Sequence, residues 1–281
     1  MAPSAERLAA VIGRPVRHSL SPAMHNAVFR ATGRPWRFVA LELLEGGVGD
    51  AIAAMAPLGI AGYAVTMPHK AAAAEVVDEL EPAAAALRSV NTVVLRDDGS
   101  TLGASTDGTG FVDWIAACGF EMANRRVVVL GAGGAARSIV DAAARAGAAD
   151  VAVVNRSHER AVAAAALAVA ARVGSHDDIG GADLLVNATS VGMGTGSDEL
   201  PLDAELLRPD LTVADIVYHP LDTALLRVAR NAGATTIDGL GMLVHQAVLQ
   251  QQLWTGDRPN PELLRDAAEA ELEARSAEAD G

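Results

Sequence analysis

R-V-V-V-L-G-A-G-G-A-A-R-S, Arg126 to Ser138, is the stretch on which the reading of this chain turns. Val127 to Leu130 are four apolar, mostly β-branched residues, the pattern of a strand buried on both faces. Gly131, Gly133 and Ala136 then fit G-x-G-x-x-G/A, the fingerprint of a dinucleotide-binding turn. Gly131 permits the tight turn off the strand. Gly133 has no Cβ, so a pyrophosphate can approach its backbone. Ala136 is small enough for the next helix to pack closely on the strand. The run Gly131, Ala132, Gly133, Gly134 and Ala135 thus offers free N–H groups and a positive dipole end to phosphates.

The surroundings support that reading over a small-residue turn without a ligand. A helical pattern runs from Gly134 to Ala146, Gly147 ends it, and a second apolar strand follows at Val151 to Val154. This is a βαβ unit of about 30 residues, the length the fingerprint requires. The second strand ends in Asn155, Arg156 and Ser157. An NAD site usually carries Asp or Glu here, to accept hydrogen bonds from the ribose 2′-hydroxyl. This chain has Arg156 instead, and a guanidinium suits the 2′-phosphate of NADP. The competing reading is a solvated arginine at a strand end.

The chain has 281 residues, enough for two domains, and 51% of it is apolar. The formal net charge of −13 argues against a nucleic-acid or anionic-membrane partner, which such a surface repels. An anionic substrate must be drawn in by local donors. Cys118 is the single cysteine, so no internal disulfide and no thiolate metal cluster can form. The start, M-A-P-S-A-E-R-L-A-A-V-I-G, does not read as a signal peptide, and no apolar run reaches membrane-spanning length. A soluble cytoplasmic protein is expected.

The first part alternates strand and helix, which predicts an α/β layer with a mostly parallel sheet. Strands are expected at Leu8 to Ile12, Trp36 to Leu43, Ile60 to Thr66 and Val90 to Leu95. Ser21-Pro22 reads as a helix start, with Ser21 as N-cap and Pro22 at the first helical position. That helix runs over Ala23 to Ala31. Val48 to Ala56 are helical, and Pro68 starts a helix containing Lys70. Thr106-Asp107-Gly108 leads into a helix to Ala117, with a linker between the halves near Asp107 to Phe120. After the βαβ unit come strands at Leu184 to Asn187, Leu211 to Val217 and Thr235 to Ile237. A helix covers Asp222 to Arg230, and Gly239 opens a long one. A last helix spans Pro261 to about Glu273, and the polar tail beyond Ala274 is expected to fray.

A hydride-transfer cofactor needs a substrate beside it and a group to handle one proton. Candidates are polar groups at strand ends of the first half: Ser19 and Ser21, Thr66 and Lys70, and Asp107. A lysine and a carboxylate can form an acid/base pair, the carboxylate holding the ammonium and partial desolvation easing its deprotonation. A solvated charge is the plainer reading of any one lysine. His18, His25, His69 and His245 lie near these segments, but no H-x-x-x-H spacing appears, so no metal is expected. His18 and His69 are expected to be hydrogen-bonding framework groups.

These segments together resemble the shikimate dehydrogenase family over nearly the whole chain. The matching runs are G-R-P-V-R-H-S-L-S-P-A-M-H-N (Gly13 to Asn26), V-T-M-P-H-K (Val65 to Lys70), V-N-T-V (Val90 to Val93) and T-D-G (Thr106 to Gly108). They continue with G-A-G-G-A-A-R (Gly131 to Arg137), N-R-S (Asn155 to Ser157), N-A-T-S-V-G-M (Asn187 to Met193), D-I-V-Y (Asp215 to Tyr218) and G-L-G-M-L-V-H-Q (Gly239 to Gln246). The resemblance implies a two-domain α/β enzyme. Residues 1–107 would be the substrate-binding and catalytic domain, completed by C-terminal helices 245–275. Residues 108–244 would be a Rossmann NADP-binding domain, with a cleft between the two.

The resemblance also implies roles. Lys70 would be the catalytic acid/base, paired with Asp107. Ser19, Ser21 and Tyr218 would bind a substrate carboxylate, and Thr66, Asn91, Asp107 and Gln246 would hold ring hydroxyls. Ile216, Gly239 and Met242 would lie near the nicotinamide. The implied reaction is the NADP-dependent interconversion of 3-dehydroshikimate and shikimate in aromatic amino acid biosynthesis, by a monomer or homodimer. Two positions depart from the family pattern: Ala64 and Ser105 each stand where the family usually has Asn. A quinate or aminoshikimate dehydrogenase on the same scaffold therefore stays open. A non-catalytic NADP-binding sensor is the rival from another class, but binding alone requires neither Lys70 nor Asp107.

Overall fold

Leu8 to Ile12 hold no polar side chain, and they form the middle of β1 (Arg7–Gly13), a strand with neighbours on both edges. The computed structural model describes residues 6–194 and 197–279. The chain divides into two units, one of residues up to Thr106 together with Val244 onward, the other Asp107–Leu243.

In the first unit, β1 is followed by α1 (Ser21–Ala31), β2 (Trp36–Glu42), α2 (Val48–Ala53), α3 (Met55–Leu58), β3 (Ile60–Val65), α4 (Lys70–Val76), β4 (Glu79–Leu80), α5 (Pro82–Leu87), β5 (Thr92–Leu95) and β6 (Thr101–Ala104). The sheet order is β2-β1-β3-β5-β6-β4. It is parallel through β2-β1-β3 and at β4-β6, but β5 runs antiparallel to both β3 and β6. The sheet is thus mostly parallel, as expected, with β5 the one strand reversed among the described residues. The reason is local. Asp97-Asp98-Gly99 makes a tight turn, Gly99 at φ 86° and Ser100 N–H donating to Asp98 Oδ1 at 2.9 Å, and so short a connection can only join antiparallel strands.

All six residues of β3 are buried, as a central strand covered on both faces requires. One face carries Ile12, Tyr63, Val65 and Val93; the other carries Val11, Phe38, Ala64 and Trp254. Ala64, where the family usually has Asn, therefore belongs to an apolar cluster. A Cβ on Gly62 would lie 2.1 Å from Trp254 Nε1, so only glycine lets that indole rest on the strand, where Nε1 donates to Val93 O at 3.0 Å.

Several helix boundaries differ from expectation: the stretch expected as one helix over Val48 to Ala56 is split at Ala54, with α3 running on through Pro57 to Leu58. Ser21 is the first residue of α1 and not its cap; Leu20 holds the cap position without a side-chain bond, while Ser19 Oγ accepts from Ser21 N at 3.2 Å. α4 begins at Lys70 and not at Pro68, because His69 N donates to Thr66 O at 3.0 Å and closes a turn first. The last helix continues well past the expected fray point.

In the second unit, α6 (Asp107–Ala117) leads to β7 (Arg126–Leu130), α7 (Gly134–Arg145), β8 (Asp150–Val154), α8 (His158–Ala165), β9 (Ala171–Val173), β10 (Leu184–Asn187), β11 (Thr212–Asp215), α9 (Ala224–Asn231) and β12 (Thr235–Ile237). All strands are parallel, in the order β12-β11-β10-β7-β8-β9. Numbered from β7 this is the 3-2-1-4-5-6 order of the doubly wound dinucleotide fold. The expected linker helix, α6, is part of this unit and packs on α7; a Cβ on Gly108 would meet Ser138 O at 2.1 Å. Two helices end the chain, α10 (Leu240–Thr255) and α11 (Pro261–Ala279). Among the described residues no helix is long and apolar enough to cross a membrane.

Candidate active site

The fingerprint turn has the expected geometry. Gly131 has φ 109°, and a Cβ there would lie 2.7 Å from Ala188 O, so this position needs glycine twice over. Its N–H donates to Val154 O at 2.8 Å, which ties the turn to the end of β8. Gly133 caps α7, and a Cβ on Gly133 or Gly134 would meet nothing within 4 Å. Protein atoms therefore do not explain these two glycines; open backbone N–H groups facing free space at a helix start do suit a pyrophosphate. Ala136 is fully buried against the sheet, as its small size predicts. Beyond β8, Asn155 Nδ2 donates to Ser157 O at 3.0 Å, and Ser157 Oγ caps α8 by accepting from Arg160 N. Arg156 between them is exposed.

A polar network supports the next two strand ends. Asn187 and Asp215 are almost fully buried at the ends of β10 and β11. Asn187 Nδ2 donates to Asp215 Oδ1 at 2.9 Å, and Asn187 Oδ1 accepts from Thr189 Oγ1 at 2.7 Å. Asp215 Oδ2 accepts from Thr223 Oγ1 at 2.8 Å, and Oδ1 from Val217 N at 3.1 Å. Burial pushes the Asp215 carboxyl above its ordinary range, against these bonds. The network holds in place the backbone carrying half-buried Ile216 and Tyr218. Gly239 lies so close that a Cβ would be 2.5 Å from Val217 O, and buried Met242 follows on α10. Asp238 Oδ1 caps α10, accepting from Leu240 N at 3.0 Å and Gly241 N at 3.2 Å. Sequence reasoning missed the Asn187–Asp215–Thr223 network. The Asn-Ala-Thr-Ser run, rich in residues that bond their own backbone, was its signal.

In the first unit the topology brings polar groups to the carboxyl ends of β1 and β3. These strands are neighbours, and a Cβ on Gly13 would lie 2.2 Å from Thr66 Cγ2. β1 leads to half-buried Ser19 and buried Ser21, β3 to half-buried Thr66 and Lys70. His69 is a framework group, its Nε2 meeting Leu43 O at 2.9 Å. His18 is not: its side chain is exposed, and only its carbonyl makes a framework contact.

Asn91 joins the cluster because β5 starts beside the end of β3; Val65 N donates to Asn91 O at 2.7 Å. Its Oδ1 accepts from Thr106 N at 2.8 Å and Thr92 Oγ1 at 2.9 Å, while Nδ2 donates to Thr106 Oγ1 at 2.9 Å. Thr106 is thereby locked at the point where this unit ends, and buried Asp107 opens α6 of the other. Gln250 Nε2 donates to Asn91 O at 3.3 Å, so α10 runs past the cluster, with buried Gln246 one turn earlier on the same face.

Two further groups are buried, Gln251, which escaped the sequence reading, and His25, which the sequence placed near the motifs without a role. His25, fully buried on α1, stacks on Phe38 at 4.3 Å and accepts at Nδ1 from Gln251 Nε2 at 3.1 Å. Burial lowers its pKa to about 3, so the ring is neutral. Each unit thus presents its polar residues at the carboxyl ends of parallel strands, where open α/β sheets bind ligands. One set suits a phosphorylated dinucleotide; the other offers hydroxyl, amide and ammonium donors to an oxygen-rich anion.

Comparison with known proteins points to one family along the chain. Residues 11–93 match the model for the shikimate dehydrogenase substrate binding domain. Residues 115–195 match shikimate / quinate 5-dehydrogenase, and residues 239–269 the shikimate 5'-dehydrogenase C-terminal domain. The chain is 44% identical to the shikimate dehydrogenase (NADP(+)) of Thermococcus kodakarensis over 272 residues, 95% of this chain and 98% of that one. It is similar to the solved shikimate 5-dehydrogenase from Thermus thermophilus in complex with NADP(H) and shikimate. There the TM-score is 0.88 at 36% identity, covering 94% of this chain and 99% of that one. A quinate dehydrogenase from Corynebacterium glutamicum in complex with NAD also matches, with a TM-score of 0.88 at 32% identity over 94% of this chain and 99% of that one.

Proposed function

The chain belongs to the shikimate dehydrogenase family, and from that premise we propose how its own residues carry out the reversible NADP-dependent reduction of 3-dehydroshikimate to shikimate. It is an oxidoreductase, and its relatives use NADP. The observation that carries the reading is the polar set of the first unit: Ser19, Ser21, Thr66, Lys70 and Asn91, gathered at the ends of adjacent strands by β1, β3 and β5. A cofactor-binding sensor has no need of such a set.

NADP, when bound, supplies the hydride or takes it up at the nicotinamide. Gly131, Ala132, Gly133, Gly134 and Ala135 hold the pyrophosphate with backbone N–H groups. Asn155, Arg156 and Ser157 surround the 2′-phosphate, and Arg156 supplies its counter-charge. Ile216, Gly239 and Met242 flank the nicotinamide end. Ser19, Ser21 and Tyr218 hydrogen-bond the ring carboxylate. Thr66, Asn91, Asp107 and Gln246 take the ring hydroxyls; one N–H of the Asn91 amide is already committed to Thr106. Lys70 donates a proton to the carbonyl oxygen during reduction and accepts it back during oxidation, with Asp107 as the second charged group of the chemistry. The match at Ser19, Ser21, Thr66 and Asn91 supports a preference for shikimate over quinate. We place the enzyme in the cytoplasm, as a monomer or homodimer.

Lys70→Ala tests the assignment. General acid–base help is worth roughly 10²–10⁴ in rate, so kcat should fall by that factor with KM changing far less. A variant with near-normal kcat would remove Lys70 from the mechanism.

A further inference from the structure

The segment that carries Ser19 and Ser21 is held from outside by the end of the chain. α11 packs along α1 and reaches Arg275 near its last turn. Arg275 Nη1 donates to His18 O at 2.8 Å, and Nη2 to Ser19 O at 3.3 Å. Its Nε donates to Glu271 Oε1 at 2.8 Å, one helical turn earlier, which fixes the plane of the guanidinium. A planar fork with donors on both sides can hold two successive carbonyls while its third nitrogen is anchored, which an ammonium cannot do. Within the segment, Ser19 N donates to Val16 O at 3.0 Å, and Ser19 Oγ accepts from Ser21 N at 3.2 Å. The position of the Ser19 hydroxyl therefore depends on where its main chain is held.

We propose that Arg275 is a positioning residue for substrate binding: it clamps the main chain at His18 and Ser19, so that Ser19 and Ser21 meet the carboxylate in one preset geometry. The proposal rests on the assignment of those serines to the carboxylate. It gives the polar end of α11 a task that no site motif of the sequence suggests. Preset donors bind more tightly than donors that must first be ordered.

Steady-state kinetics of wild type, Arg275→Ala, Arg275→Lys, Ser19→Ala and the Ser19→Ala/Arg275→Ala double variant test this. Arg275→Ala should raise the KM for shikimate roughly 5- to 10-fold, the worth of a partly exposed charge-assisted hydrogen bond. kcat and the KM for NADP should hold within about twofold, since the lost binding is the same in the ground state and the transition state. Arg275→Lys should resemble Arg275→Ala, because it keeps the charge and loses the fork. The effects in the double variant should fall short of multiplying, because both changes act on the one serine segment. Wild-type KM in Arg275→Lys, or effects that multiply in the double variant, would overturn the clamp. If Ser19→Ala raises KM and Arg275→Ala does not, the clamp alone is wrong. If Ser19→Ala leaves KM unchanged, the carboxylate assignment fails and the clamp with it.

Discussion

At the end of β8 a guanidinium stands where a 2′-hydroxyl would need a carboxylate. Arg156 is exposed, flanked by Asn155 and Ser157, whose own hydrogen bonds shape the loop and cap α8. On the proposed reading a 2′-phosphate would meet a charge-assisted donor there, and an unphosphorylated ribose would meet no acceptor of its protons. Arg156→Ala should therefore raise the KM for NADP roughly 10-fold at low salt and leave that for NAD nearly unchanged, with added salt narrowing the gap. Initial rates with both nucleotides, with and without added salt, check this; equal losses for the two would show that Arg156 does not read the phosphate. At this scale the sequence was most legible where a residue has a covalent or steric necessity, as at Gly131. It was least legible where two distant side chains share a bond. The Asn-Ala-Thr-Ser run signals local bonding at Asn187 but not that its partner is Asp215, because β10 and β11 pair only in the folded sheet.

Helices α1 and α10 meet through a buried polar contact. His25 on α1 receives a hydrogen bond from Gln251 on α10 and stacks on Phe38, and its pKa falls from 6.5 to about 3. The sign of the stability effect follows. The unfolded chain binds a proton at His25 below its ordinary pKa, while the folded chain does not. Stability from this group is full above pH 6.5 and is lost as pH falls towards 3. Between pH 7 and pH 5 the wild type should lose about 2 kcal/mol more than His25→Phe, from 1.36 kcal/mol per unit below the unfolded pKa. Urea titrations of both proteins at the two pH values measure that difference; equal losses would place the His25 titration elsewhere. Asp215, raised by burial, works the other way, adding stability that is lost as pH rises through its folded pKa. The comparison between variants cancels it. Element types followed from hydrophobic period, but their ends did not. α11 outlasts its expected end at Glu273, and Arg275 bonded to two carbonyls is a contact its local composition does not announce. The short strands β4 and β6 went unread because two to four residues carry too little period to register.

For the molecule as a whole, the motifs carried more than the composition did. The charge of −13 argues against a nucleic-acid or anionic-membrane partner but names none, and the order of the segments is what placed the chain in its family. Its two units show why that order matters: each gathers residues scattered over many tens of positions at the carboxyl ends of its strands. The antiparallel β5–β6 hairpin, unforeseen as such, brings Asn91 and Thr106 together beside the end of β3. The central claim is that these ends serve shikimate and NADP. Its most direct test is kcat/KM for shikimate and quinate, each crossed with NADP and NAD, on the purified protein. The account predicts the highest value for shikimate with NADP, with NAD lower by roughly 10-fold or more at low salt. A higher value for quinate, or for NAD, would contradict it.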